Sequence, residues 1–189
     1  MPRLFTAIEL PEDTRAELYR LHQPLPGARW IKPDAYHLTL RFYGDIDNGV
    51  ARELVANLAG IEADAFELRI VGLGAFGGND PRAVWAGVEP SPALEALARA
   101  HEKAARNAGL PAEKRTFRPH VTSARLKNSD PDAVAQFLTR YGGYRSEPFF
   151  VARTVLMSSK PTVGGGPYAT EDVFPLRGGY VGEDGPANW

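Results

Sequence analysis

Two of the four histidines in the 189-residue chain open the same short pattern. His37-Leu38-Thr39 follows Tyr36 and leads into Leu40-Arg41-Phe42. His120-Val121-Thr122 follows Arg118-Pro119 and leads into Ser123-Ala124-Arg125. On an extended segment, residues i and i+2 point to one face. His37 and Thr39 then share a face with Leu38 packed behind it, and His120 and Thr122 do so with Val121 behind. A neutral imidazole can take a proton from water or a hydroxyl, and an imidazolium can deliver one to a departing oxygen. An unperturbed pKa of about 6.5 suits both tasks. Threonine hydroxyls can hold non-bridging oxygens while charge builds on them. Two such pairs at one spot point to phosphodiester chemistry.

An arginine follows each pattern. Arg41 and Arg125 are expected on the His face as phosphate clamps, with Arg118 as a further candidate. Tyr36, Phe42, Phe117 and Tyr168 could stack on a base, as aromatic side chains do for single-stranded RNA. Of these, Phe42 has the parity of Leu38 and Leu40 and is expected in the core. Tyr168, after Gly164-Gly165-Gly166, is the candidate expected in the cleft. That Gly run lacks the Lys of a nucleotide-binding P-loop and reads as a connection. His22 and His101 fall at helical positions without a Thr partner and read as structural. No carboxylate or third His sits at ligand spacing beside either motif, and the chain has no cysteine. A thiolate metal site, a Cys nucleophile and a disulfide framework are thereby excluded. Neither a metal nor a cofactor is expected.

The elements that must position these residues recur along the chain. Strands are expected at Leu4 to Leu10, Tyr36 to Tyr43, Ala65 to Val71, Ala83 to Val88, Pro119 to Arg125, Phe149 to Ser158 and Tyr168 to Leu176. Helices are expected from Pro11 to His22, Asp47 to Leu58, Ser91 to Ala108 and Ser129 to Tyr141. Strand-helix-strand-helix-strand thus occurs twice. Ile8-Glu9 matches Val88-Glu89 at 80 residues, and His37 matches His120, and Phe66 matches Phe149, at 83. This predicts a bilobal α+β domain over residues 1–177, an internal repeat over about 3–80 and 81–177, and a pseudo-twofold that unites the two motifs in a central cleft. Residues 178–189 read as a flexible tail.

Net charge of −1 and a pI of about 6.4 tell against a protein that coats duplex nucleic acid, but not against recognition of a single RNA end. No segment approaches the ~20 apolar residues of a membrane span, and no leader is evident at the N-terminus. A cytoplasmic monomer without a membrane partner is expected.

Several stretches carry a family resemblance: Arg3-Leu4-Phe5-Thr6-Ala7-Ile8-Glu9-Leu10-Pro11, Trp30-Ile31-Lys32-Pro33, the His37 motif through Gly44, Phe117 through Arg125, Val84-Trp85-Ala86-Gly87-Val88, and Gly166-Pro167-Tyr168 with Phe174-Pro175-Leu176. Together they resemble the RNA 2′,3′-cyclic phosphodiesterases, the two-histidine phosphoesterases also described as 2′-5′ RNA ligases, over about residues 3–177. Ser123 departs from the pattern, which prefers an apolar residue after the Thr. The resemblance implies hydrolysis of a 2′,3′-cyclic phosphate at an RNA end to a 2′-phosphate, without a cofactor. It carries His37, Thr39, His120 and Thr122 over directly; one His is expected as acid and the other as base, and the sequence does not assign them, the preferred order being His37 as acid and His120 as base. Competing expectations are 2′-5′ ligation, hydrolysis of a small cyclic nucleotide, and a non-catalytic module that binds RNA ends.

Overall fold

Side chains set the ends of the helices. In the computed structural model, which describes residues 3–159 and 168–179, α2 (Asn48–Ala59) begins where the Asp47 carboxylate accepts from Gly49 N and Val50 N. Ser91 caps α3 (Pro92–Asn107), and Asp130 caps α4 (Pro131–Tyr141). In both, Pro at the first helical position lacks only a donor that the helix does not need. Beyond α3, Gly109 takes a φ of +85°. The amide of Leu110 then reaches the Ala105 carbonyl, the left-handed stop for which a side chain is poorly suited. The first helix, α1 (Glu12–Arg20), has no side-chain cap and ends just before His22.

The strands are β1 (Arg3–Glu9), β2 (Ala28–Trp30), β3 (His37–Gly44), β4 (Phe66–Leu68), β5 (Ile70–Phe76), β6 (Ala83–Val88), β7 (His120–Leu126), β8 (Phe149–Val151), β9 (Arg153–Ser159) and β10 (Tyr168–Pro175). Seven of them run in the order β10-β9-β1-β3-β7-β6-β5, and β2 pairs with β7 beside β3. A separate ribbon joins β4 to β8. The fold class is α+β, as expected. Three details differ. The short β2 follows a Pro-rich turn and is specified by pairing with β7 rather than by a local pattern. The two long strands expected at 65–71 and 149–158 are each broken at one residue, Arg69 and Ala152. There the chain leaves the β4–β8 ribbon and turns into the main sheet. The amides of Glu89 and Leu176 bond to the two breaking carbonyls. Gly164–Gly166 and residues 180–189 of the expected tail lie outside the described residues.

Among the backbone pairings between the halves are Leu38↔Val121 of β3 and β7 and Glu67↔Phe150 in the ribbon. Both join positions 83 residues apart in the chain. The first strands are offset by less: Ile8 pairs with Leu38, while Ala86 pairs with Val121. Ile8 is thus level with Ala86, not with Val88 as the sequence spacing suggests.

One face of the sheet is covered by helices. Leu38, Val121 and Ala86 are fully buried there, with Leu18 of α1 and Leu94 and Leu97 of α3. Leu54 and Leu58 of α2 pack with Leu156 and Phe174, and Val134 and Phe137 of α4 pack with Val84 and Ala124. The opposite face carries the two histidines.

Candidate active site

Because Leu38 pairs with Val121, the residues on either side of each turn to the uncovered face. In this antiparallel register His37 lies across from Thr122, and Thr39 across from His120. The two histidines then occupy a diagonal of the square, a separation of about 7–8 Å between residues. That spacing leaves room for a phosphate between the rings. The structure therefore brings His37, Thr39, His120 and Thr122 together.

Each ring is fixed in the same way. His37 Nδ1 donates to the Ala35 carbonyl at 2.9 Å, and His120 Nδ1 donates to the Arg118 carbonyl at 2.6 Å. A carbonyl only accepts, so in the neutral ring Nδ1 holds the proton and the lone pair is on Nε2. The 3₁₀ turn at Pro33–Ala35 supplies the first carbonyl. Arg118 acts here through its backbone, its side chain being exposed. Neither Thr hydroxyl is engaged by a protein group among the described residues.

Aromatic rings enclose both histidines. Phe5 and Tyr168 lie with their centroids 4.9 Å from that of His37, and Phe76 lies 5.0 Å from His120, with Trp85 at 6.3 Å. Trp85 lies flat on Gly74, where a Cβ would come within 2.2 Å of the ring. Burial holds the His37 imidazole below its ordinary pKa. The bond to Ala35 opposes this shift, while the positive charges of His120 and Arg125 add to it.

A β-bulge in each motif decides where the arginines go. Ala7 pairs with Thr39 but Thr6 with Arg41, so Leu40 is the extra residue of β3. Trp85 pairs with Thr122 but Val84 with Ala124, so Ser123 is the extra residue of β7. A bulge breaks strict alternation. Arg41, two residues past Thr39, turns to the helix side and pairs with Glu102 of α3 at 2.6 Å and Glu113 at 3.5 Å. The expectation that it faces the phosphate is corrected. Arg125 lies three residues past Thr122, which alternation would put behind the sheet. The bulge returns it to the His face, exposed. Phe42 follows the same logic and is corrected in the other direction. It is 49% exposed on the cleft side, 5.4 Å from Phe5, while Tyr43 takes the core position. Ser123 fills its bulge by donating to the Val84 carbonyl.

The other candidates divide. Tyr168 lines the cleft. Tyr36 is buried in the core and bonds to His22 Nε2, and Phe117 packs against that core. His22 stacks on Trp30, and His101 is buried against the Thr6 hydroxyl, both structural as expected. Sequence reasoning gave no role to Phe5, Phe76 or Trp85.

Residues 8–85 and 87–168 match the family model of the LigT like phosphoesterases. The chain belongs to that family. A Geobacillus stearothermophilus protein named RNA 2′,3′-cyclic phosphodiesterase is 31% identical over 96% of this chain, which spans 59% of that protein. A Methanothermobacter thermautotrophicus protein of the same name is 30% identical over 92% of this chain and 98% of its own length. Among solved structures, E. coli LigT complexed with 3′-AMP superposes with a TM-score of 0.77 at 25% identity, covering 94% of this chain and 99% of LigT. A Thermus thermophilus protein gives 0.76 at 27%, covering 94% and 100%. Within this LigT-like chain no three His, Cys, Asp or Glu side chains gather into a metal-binding group among the described residues, and no helix among them is long and apolar enough to cross a membrane.

Proposed function

We propose that this LigT-like phosphoesterase hydrolyses the 2′,3′-cyclic phosphate at an RNA end to a 2′-phosphate, with its two imidazoles carrying the acid–base steps and no metal. The observation that carries the reading is the pairing of Leu38 with Val121. It turns two His-Thr pairs to one face, with both Nδ1 atoms tied to carbonyls and each Nε2 left for substrate. Water attacks phosphorus in line with O3′, and the P–O3′ bond breaks. One Nε2 takes the proton of the water and the other protonates O3′. Thr39, Thr122 and Arg125 hold the non-bridging oxygens as charge develops.

Physical chemistry favours His37 as base and His120 as acid, the reverse of the order preferred from the sequence, which left the assignment open. Burial and two neighbouring positive charges favour the neutral form of His37, which is the form a base requires. The names of the curated relatives support the reaction, and the 3′-AMP complex of E. coli LigT supports a nucleotide in the cleft. We further read residues 3–177 as one catalytic unit of two related segments, about 3–80 and 81–177, acting as a monomer on RNA ends.

The test is EDTA-treated protein incubated with an oligonucleotide that ends in a 2′,3′-cyclic phosphate, with the end group identified by mass and phosphatase sensitivity. A 2′-phosphate is expected. An intact cyclic end, or a 3′-phosphate, would refute the proposed reaction.

A further inference from the structure

Behind the His37 wall, on the helix-covered side of the sheet, a cavity of about 120 Å³ lies between α2, α3 and the strands β9 and β10. Its floor is buried and apolar, built from Leu58, Leu97, Phe174 and Leu176. Val173, 39% exposed, stands at its mouth. The polar side chains that line it are His101 and Thr154, each 1% exposed. An apolar cavity of about 150 Å³ holds benzene, so this one admits a single small ring and excludes a nucleotide. It is separate from the catalytic cleft, which opens on the other face of the sheet.

His101 meets the cavity with one ring nitrogen already committed. Its Nδ1 lies 2.9 Å from the Thr6 hydroxyl, which lies 2.8 Å from the hydroxyl of Tyr43. All three side chains are buried, and burial keeps the imidazole neutral, with one proton on the ring. The direction of this chain decides where that proton sits. If Nδ1 donated to Thr6, one hydroxyl hydrogen, of Thr6 or of Tyr43, would lack an acceptor among the described residues. If Tyr43 donates to Thr6 and Thr6 to Nδ1, both hydroxyl hydrogens are used. The imidazole proton is then on Nε2, which has no protein partner among the described residues. A buried donor without a partner is costly, and this one belongs to a side chain that lines a cavity. A charged occupant would lose its hydration against an apolar floor, so the fitting ligand is neutral. We propose that the cavity is a binding site for a compact neutral ring bearing one carbonyl oxygen, which accepts from His101 Nε2 while the ring covers Leu58, Leu97 and Leu176.

NMR titration of the isotope-labelled full chain with cyclohexanone, and separately with benzene, tests the site. Because no RNA is present, the outcome is independent of the proposed reaction. Both ligands should shift the amides of Phe174 and Leu176 saturably, and only cyclohexanone should move the His101 Nε2 proton downfield. His101→Leu should weaken cyclohexanone about three- to tenfold, the share of one neutral hydrogen bond, and leave benzene nearly unchanged. Val173→Trp, made at the exposed mouth, should weaken both ligands, and it decides the matter if His101→Leu does not fold. Adenosine 2′-monophosphate should displace neither. Absence of a saturable shift, displacement by the nucleotide, or equal loss of both ligands in His101→Leu would overturn the proposal.

Discussion

The wall around His37 and the wall around His120 follow one plan and differ in what stands behind and beside each ring. In both, the imidazole is tied by Nδ1 to the carbonyl two residues upstream, a Thr follows on the same face, and a bulge comes next. After the bulge the walls diverge. The first puts Arg41 behind the sheet and Phe42 in the cleft; the second puts Ala124 behind and Arg125 in front. Behind the first wall, Thr6 joins the Tyr43 hydroxyl at 2.8 Å and His101 at 2.9 Å. Behind the second, Val84, Ala124 and Leu126 form an apolar cluster. The shared plan supplies two imidazoles of like orientation. The differences give a symmetric cleft a direction, with an aromatic end and a cationic end.

The sharpest way to break the shared plan is to remove the rings. His37→Ala and His120→Ala are each expected to lower kcat by about 10²–10⁴. The double variant should be little slower than the slower single one, because the pair acts as a unit. Single-turnover rates on a cyclic-ended oligonucleotide would show this, and a fully multiplicative double variant would separate the two roles.

The backing of the walls can be separated by pH. Burial lowers the His101 pKa to about 4, so His101 is neutral in the fold and binds a proton more readily when unfolded. Its contribution to stability is complete above about pH 6.5 and is lost as pH falls from there towards 4, to a total of about 3 kcal/mol. The urea midpoint should decline over that window, and less steeply in His101→Gln. An equal slope in both would remove His101 from the account.

The two arginines should exchange phenotypes. Arg41 is 11% exposed in its ion pair with Glu102. Arg41→Ala should cost about 1–3 kcal/mol of stability with kcat near that of the wild type. Arg125→Ala should leave the unfolding midpoint nearly unchanged and weaken substrate use about tenfold or more. Parallel denaturation and kinetics would expose the opposite pattern, which would mean that the bulges do not hold in solution. The smallest effect expected is at the aromatic end. Phe42→Ala should raise KM by about the 1–3 kcal/mol of one stacked base, with little change in melting temperature.

Much of this was legible in the sequence. Alternation around His37 and His120 placed each His on one face with its Thr, and capping residues and Gly109 gave the helices to within a few residues. What alternation could not show was its own interruption. The bulges at Leu40 and Ser123 are fixed by pairing with β1 and β6, strands distant in the chain. Arg41 and Phe42 were therefore assigned to the wrong faces. Their partners, Glu102 and Phe5, lie 61 and 37 residues away. For the same reason β2 was invisible, since three residues acquire strand geometry only against β7.

The central claim is that His37 is the base and His120 the acid of one reaction, and the pH dependence of kcat/KM for cyclic-ended RNA tests it most directly. The wild type should give a bell. Its acid limb, set by the depressed pKa of His37, should lie below the ordinary imidazole value and vanish in His37→Ala, while the alkaline limb vanishes in His120→Ala. A flat profile, or loss of the limbs in the opposite order, would contradict the assignment.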